Sequence, residues 1–205
     1  MLSICTTVKN WTTINLKDRV LEPLPSFLKS INKITEDAEL IISDWGSNIP
    51  IKDTIDKYIT NIPYKIIDMG NNKFSRSTGL NTALGNASGE NILLVDADIS
   101  IKNKSIKNGL KKVDENNIYL PIVFAFTEFD NKKGLWCKND YGTVMAKKEW
   151  LEKIGPLQDN DKKSKKFLMG CRNIFALAQI LREKDRGFTH HWHPNTNKNI
   201  WTRRK

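Results

Sequence analysis

Long apolar runs, paired cysteines and negative charge are all scarce in this sequence. No stretch approaches the ~20 consecutive apolar residues that a membrane-crossing helix needs, and Met1-Leu2-Ser3-Ile4-Cys5 lacks the charged and apolar blocks of a secretion signal. These absences predict a soluble cytoplasmic protein with no transmembrane segment. Cys5, Cys137 and Cys171 are the only cysteines. Their odd number, wide spacing and lack of a CxxC pair argue against a disulfide framework and against a thiolate zinc site, so they read as reduced thiols. Acidic residues number 23 against 33 Lys plus Arg, a formal net charge of +10. That excess attracts anions, whether a nucleic acid, a membrane surface or a phosphorylated small molecule, and its sign does not choose among them.

What is present suffices for one packed domain. The chain has 205 residues, of which 39% are hydrophobic and 9% aromatic, enough for a single core and too few for two. Neither an internal repeat nor a low-complexity linker interrupts it. In the first hundred residues, short aliphatic or β-branched runs at Leu2 to Val8, Glu39 to Ser43, Tyr64 to Asp68 and Ile92 to Val95 read as buried strands. Helical spacing separates them. Leu16, Val20, Leu24, Phe27, Leu28 and Ile31 mark one helix, which Pro23 and Pro25 kink or restart. Ile51, Ile55 and Ile59 mark a second. A third follows Phe74, with Ser75 or Ser77 as N-cap, Leu80, Ala83, Leu84 and Ala87 on one face, and Gly89 at its end. Strands and helices alternating at this pitch predict right-handed crossovers and a mostly parallel central sheet flanked by helices, with ligands beyond the carboxyl ends of the strands.

Beyond Ser100 the pattern loosens. Ile106, Leu110 and Val113 suggest a helix, Tyr119 to Phe126 a strand, and Gly142 to Ala146 a short strand leading into a helix through Leu151 and Ile154. Asp159 to Lys166 reads as a polar, mobile loop. A helix with Ile174, Leu177, Ala178 and Leu181 on its buried face, a strand from Phe188 to Trp192 and a basic tail over 195–205 complete the chain.

Two clusters carry chemistry. Ile92-Leu93-Leu94-Val95-Asp96-Ala97-Asp98 delivers two carboxylates, one residue apart, to the sheet's carboxyl edge. Oxygen ligands so placed suit Mg2+ or Mn2+, and a cation there can neutralise a diphosphate. An isolated pair of this kind can equally just end a strand and cap the next helix. The chain's only histidines fall together in His190-His191-Trp192-His193-Pro194. Imidazole ligates manganese and other transition ions well. With period two His191 and His193 share a face, whereas His190 and His193 converge only across a turn.

Several segments resemble the GT-A glycosyltransferases, nearest the family-two and galactosyltransferase-like branch. They are Ser3-Ile4-Cys5-Thr6-Thr7-Val8-Lys9-Asn10, Leu24-Pro25-Ser26-Phe27-Leu28, Ile41-Ile42-Ser43-Asp44-Trp45-Gly46-Ser47, Phe74-Ser75-Arg76-Ser77 with Asn81, and Asp96-Ala97-Asp98, with fragments at Gly142-Thr143 and His190 to Pro194. The resemblance implies a single GT-A-like, Rossmann-related α/β domain. Residues 1–100 would form its nucleotide-sugar half, 101–194 its acceptor side, and 195–205 the tail, either alone or as part of a longer multi-domain chain. It implies a hexosyltransferase-like enzyme that moves a sugar from a UDP-sugar to a hydroxyl of a glycan. Thr6 or Thr7 and Asp44 would then hold the nucleobase, Arg76 and Asn81 the diphosphate and sugar, and Asp96 the ribose or sugar. Asp98, assisted by Asp96, would hold Mn2+ or Mg2+, with His193 or His190 completing the metal shell.

Two departures stand out. Trp11 occupies a place where relatives carry an arginine, and Gly170-Cys171-Arg172-Asn173 stands where inverting relatives carry Gly-Glu-Asp. Neither Arg nor Asn can serve as a base. Either Asp159 or Asp161 supplies it, with Glu128 or Asp130 further off, or the enzyme retains configuration without a protein base, or the chain only binds the donor. The lysine run Lys162-Lys163-Ser164-Lys165-Lys166 and terminal Arg203-Arg204-Lys205 admit a nucleic-acid module as another class, but no recognition signature accompanies them, and specific nucleic-acid binding is not expected.

Overall fold

The computed structural model describes residues 1–138, 142–157 and 179–194. Asp159, Asp161, Ile174, Leu177, Ala178 and the tail 195–205 lie outside the described residues. The chain starts with β1 (Leu2–Val8), buried at all seven positions. Its alternation sends Leu2, Ile4 and Val8 to one core and Cys5 to the other, so the strand lies inside a sheet covered on both faces. The helical spacing that begins at Leu16 is not realised as one helix. A small hairpin of β2 (Ile14–Asn15) and β3 (Val20–Leu21) takes its first part. Helix α1 (Pro23–Ile31) begins at its proline, where a fixed φ and a missing N–H cost nothing.

Next come β4 (Ala38–Asp44), α2 (Ile51–Tyr58) and β5 (Tyr64–Asp68). Helix α3 (Arg76–Gly85) is capped by the Ser75 hydroxyl, which accepts from the Thr78 N–H. It stops at Gly85, short of the expected Gly89. Gly89 serves a close approach instead, since a Cβ there would lie 2.8 Å from the Ser3 backbone nitrogen. After β6 (Asn91–Leu94), β7 (Ile99–Ile101) and α4 (Asn103–Leu110), the single strand expected over Tyr119 to Phe126 is two: β8 (Asn117–Tyr119) and β9 (Ile122–Phe126). Pro121, which cannot donate to a ladder, divides them between two sheets. Then follow β10 (Gly134–Trp136), β11 (Val144–Lys147), α5 (Lys148–Ile154), β12 (Gln179–Leu181) and β13 (Lys184–His190). Leu181, expected on a helix, lies in β12, where pairing with β8 overrides its helical spacing. The last strand ends at His190 and not at Trp192.

The main sheet has the order β12-β8-β11-β6-β1-β4-β5. Only the pairings of β11 with β6 and β8 are antiparallel; the others are parallel. Residues of α1, α2 and α4 pack on one face, with Phe27, Leu28, Ile55 and Ile106 against Ile4, Leu40 and Leu93. Residues of α3 and α5 cover the other, where Leu80, Ala83, Trp150 and Leu151 meet Cys5, Ile41 and Leu94. A second sheet, in the order β10-β9-β13-β7, stands beside it. Among the described residues no helix is long and apolar enough to cross a membrane.

Candidate functional site

The carboxyl ends of β1, β4 and β5 are tied together by short polar side chains. Asp44 Oδ1 accepts from the Ser47 N–H at 3.1 Å and from its hydroxyl at 2.6 Å. Ser47 Oγ also accepts from the Asn10 N–H, and Asn10 Oδ1 from the Asn48 N–H. Asn10 holds a left-handed φ of 59°, a conformation asparagine tolerates better than most residues. Lys9 Nζ donates to Asn71 Oδ1 at 3.1 Å and to the Asn72 carbonyl at 2.8 Å. The loop after β1 is thus fixed against those after β4 and β5.

The second sheet assembles the other half. Strand β7 pairs antiparallel with β13, setting Ile99 opposite His190, and the His191 N–H extends the ladder to the Asp98 carbonyl at 3.1 Å. Asp98, at the foot of β7, therefore faces the end of β13. Because the strand stops at His190, the chain turns and brings His193 back to the same side. His193 Nε2 lies 3.2 Å and His190 Nε2 3.5 Å from Asp98 Oδ2, and one ligand atom from each of the three residues falls within a 4.8 Å cluster. Asp98 is almost fully buried, and its Oδ1 has no hydrogen-bond partner among the described residues. Burial by itself would raise this carboxyl; the two imidazoles outweigh it and hold the group well below the usual carboxylate range. A buried, ionised carboxylate with an unspent oxygen beside two imidazole nitrogens fits a divalent cation. His191 faces the other way, its Nε2 2.5 Å from Ser100 Oγ, and burial lowers its basicity.

The remaining expected residues divide. Arg76 is turned to Asp96, with Nε 2.5 Å from Oδ1, while its Nη2 donates to the Gly142 carbonyl at 2.8 Å. Asp96 is not in the Asp98–His190–His193 cluster. Asn81 spends both ends of its amide on the Leu157 backbone, each at 2.9 Å, and so anchors the segment after α5. Thr7 Oγ1 donates to the Ser43 carbonyl and accepts from Trp45 Nε1, inside the packing between β1 and α3. Thr6 is fully buried, and its hydroxyl has no hydrogen-bond partner among the described residues. Glu128 and Asp130 pair with Lys133 and Lys132.

The sequence model of the family described as Glycosyl transferase family 2 matches residues 13–183. The chain belongs to that family. No curated protein sequence matches it. Among solved structures, S. aureus TarS 1–349 is similar at 16% identity and a TM-score of 0.71, over 93% of this chain and 60% of that one. The same TarS fragment in complex with UDP-GlcNAc gives 15% identity, a TM-score of 0.72 and coverage of 95% and 59%. The mannosyltransferase PcManGT from Pyrobaculum calidifontis, in complex with GDP-Man and Mn2+, gives 13% identity, a TM-score of 0.66 and coverage of 92% and 56%. This family-2 chain thus spans about three fifths of the length of those proteins, and it shares their GT-A fold.

Sequence reading missed the partners of the site. The Trp11 ring lies 5.0 Å from the His193 ring, centroid to centroid, and the Gly142 carbonyl steadies Arg76. Each contact joins positions more than sixty residues apart, for which the sequence carries no local signal. Ser47 was findable, because an Asp followed three residues later by a serine through a glycine is a turn that closes on its own carboxylate.

Proposed function

We propose that this family-2 chain is a metal-dependent glycosyltransferase that binds a nucleotide diphosphate sugar and passes the sugar to a hydroxyl of a glycan acceptor. The observation that carries this reading is the convergence of Asp98, His190 and His193 beside the Arg76–Asp96 pair at the carboxyl edge of the sheet. Two imidazoles and one carboxylate favour manganese over magnesium, whose preference is for oxygen. When bound, such an ion stabilises the negative charge that develops on the leaving diphosphate. Arg76 orients Asp96, whose carboxylate can accept from a donor hydroxyl. Asp44, locked by Ser47, is the acceptor for the nucleobase or ribose. UDP as the nucleotide is supported by the TarS complex with UDP-GlcNAc; PcManGT, solved with GDP-Man, makes GDP the competitor.

Arg172 and Asn173, where a base would stand, favour one second reading, a donor-binding protein without transfer. A thermal-shift series with UDP- and GDP-sugars, with and without manganese, tests the first, since a ligand of the folded state raises its stability. The expected result is a shift with UDP-sugars that requires manganese. A chain that ignores both nucleotide sugars in the presence of the metal would refute the assignment. Alanine at Asp159 and Asp161, assayed for transfer and donor hydrolysis, separates the base accounts: full rates in both variants exclude those two residues.

A further inference from the structure

Next to the Asp98–His190–His193 cluster along the chain lies a concave feature that the donor reading does not use. A cavity of about 220 Å³ opens between the β2–β3 hairpin, the start of α1 and the turn after β9, lined by Val20, Glu22, Ser26, Phe129, His191 and Trp192 among others. Its aromatic wall is built from Phe129 and Trp192, whose ring centroids are 6.3 Å apart and nearly perpendicular, and Arg19 lies over the Phe129 ring at 4.1 Å. Phe129 is 43% exposed and Val20 55%, so both present apolar surface at the mouth of the cavity. Of the polar lining, Ser26 Oγ donates to the Glu22 carbonyl and His191 Nε2 is held at Ser100 Oγ. Glu22 occupies the N-cap of α1 yet makes no side-chain capping bond.

The chemistry of the lining selects its ligand. A pyranose ring has a flat C–H face, which packs on aromatic rings, and a rim of hydroxyls, which donate to a carboxylate. Pockets of this type combine apolar walls with a few placed polar groups. The volume admits one ring, and the Glu22 carboxylate and the Arg19 guanidinium over Phe129 offset each other in charge, which suits a neutral ligand. Position along the chain links the cavity to the cation cluster: His190 and His193 turn to Asp98, while His191 and Trp192, between them, turn to the cavity. The two features therefore stand back to back across one segment.

We propose that this cavity is a subsite for one neutral pyranose unit of the acceptor glycan, a unit remote from the reacting hydroxyl. This rests on the transferase reading, in which binding of a distant acceptor unit contributes to positioning the reacting one. The test uses saturation-transfer NMR on the full chain, without nucleotide or metal, with methyl glucoside, methyl galactoside and methyl N-acetylglucosaminide as probes. The expected result is transfer to the ring C–H protons of at least one glycoside, weakened at least tenfold in both Phe129→Ala and Glu22→Gln. Both sites are at the surface, and thermal unfolding verifies that the variants fold. No transfer from the wild type to any of the three glycosides, or equal transfer from the wild type and both variants, overturns the subsite. The manganese-dependent donor shift is read separately. Glycoside binding in a chain without that shift would overturn the acceptor assignment through failure of the transferase reading, with the cavity left as a plain sugar site.

Discussion

At the scale of single residues, chemistry is concentrated in a few side chains whose environment decides their role. Asp98 is buried and held ionised, so exchanging it for asparagine removes the charge while nearly preserving shape. Asp98→Asn is expected to weaken manganese binding more than tenfold by calorimetry and to abolish the metal-dependent donor shift, with the circular dichroism spectrum unchanged. Manganese affinity should also fall on acidification, because protonated imidazole cannot ligate; titrations at several pH values measure this. A second carboxylate also contributes to acid stability. Glu39 Oε1 accepts from the Ser3 hydroxyl at 2.5 Å and from the Ser88 N–H and hydroxyl, each at 2.7 Å. Burial pushes its pKa up, but these bonds and one from the Gly89 N–H outweigh it and hold the group below its ordinary value. Its contribution is therefore complete above the ordinary glutamate pKa and is lost as the pH falls through the lower folded value. Glu39→Gln should flatten the decline of the urea midpoint as the pH falls below the ordinary glutamate pKa. The acids and histidines of the site were legible in the sequence because their chemistry is intrinsic to residue type. That Asn81 would be consumed by Leu157, or Thr7 by Trp45, was not, since those partners are fixed only by tertiary packing.

At the scale of elements, strands buried on both faces were the most legible, because an unbroken apolar run such as Ile92 to Val95 has few alternatives at that length. The segment from Leu16 to Leu21 misled, since its apolar spacing satisfies a helix while Ile14 and Asn15 find strand partners in Leu21 and Val20. Pro121 was a visible breaker whose effect, sending β8 and β9 to different sheets, depends on neighbours distant in sequence. Helix α3 shows how closely such elements dock. A Cβ at Gly79 would lie 2.7 Å from Thr7 Cβ and 2.9 Å from Trp45 Nε1. Gly79→Ala should therefore destabilise the protein by about 1–3 kcal/mol through overpacking, despite a gain of about 1 kcal/mol in helix propensity. Chemical denaturation measures the balance, and a more stable variant would show that α3 moves freely on β1.

At the scale of the whole molecule, the alternation of strands and helices made a parallel sheet with a ligand edge readable, and the family match agrees with it. The second sheet was not readable, for it joins β7, β9, β10 and β13 from opposite ends of the second half of the chain. The charge of +10 acts over the same scale. It should retain the protein weakly on immobilised DNA, with release by about 0.2 M salt, as expected for contacts without sequence recognition. Retention well above that salt would instead favour a nucleic-acid function. The cation cluster draws one residue from position 98 and two from positions 190 and 193. A nascent polypeptide can thus pair β1, β4, β5 and β6 as they emerge from the ribosome, yet Asp98, His190 and His193 cannot meet until His193 has cleared the exit tunnel.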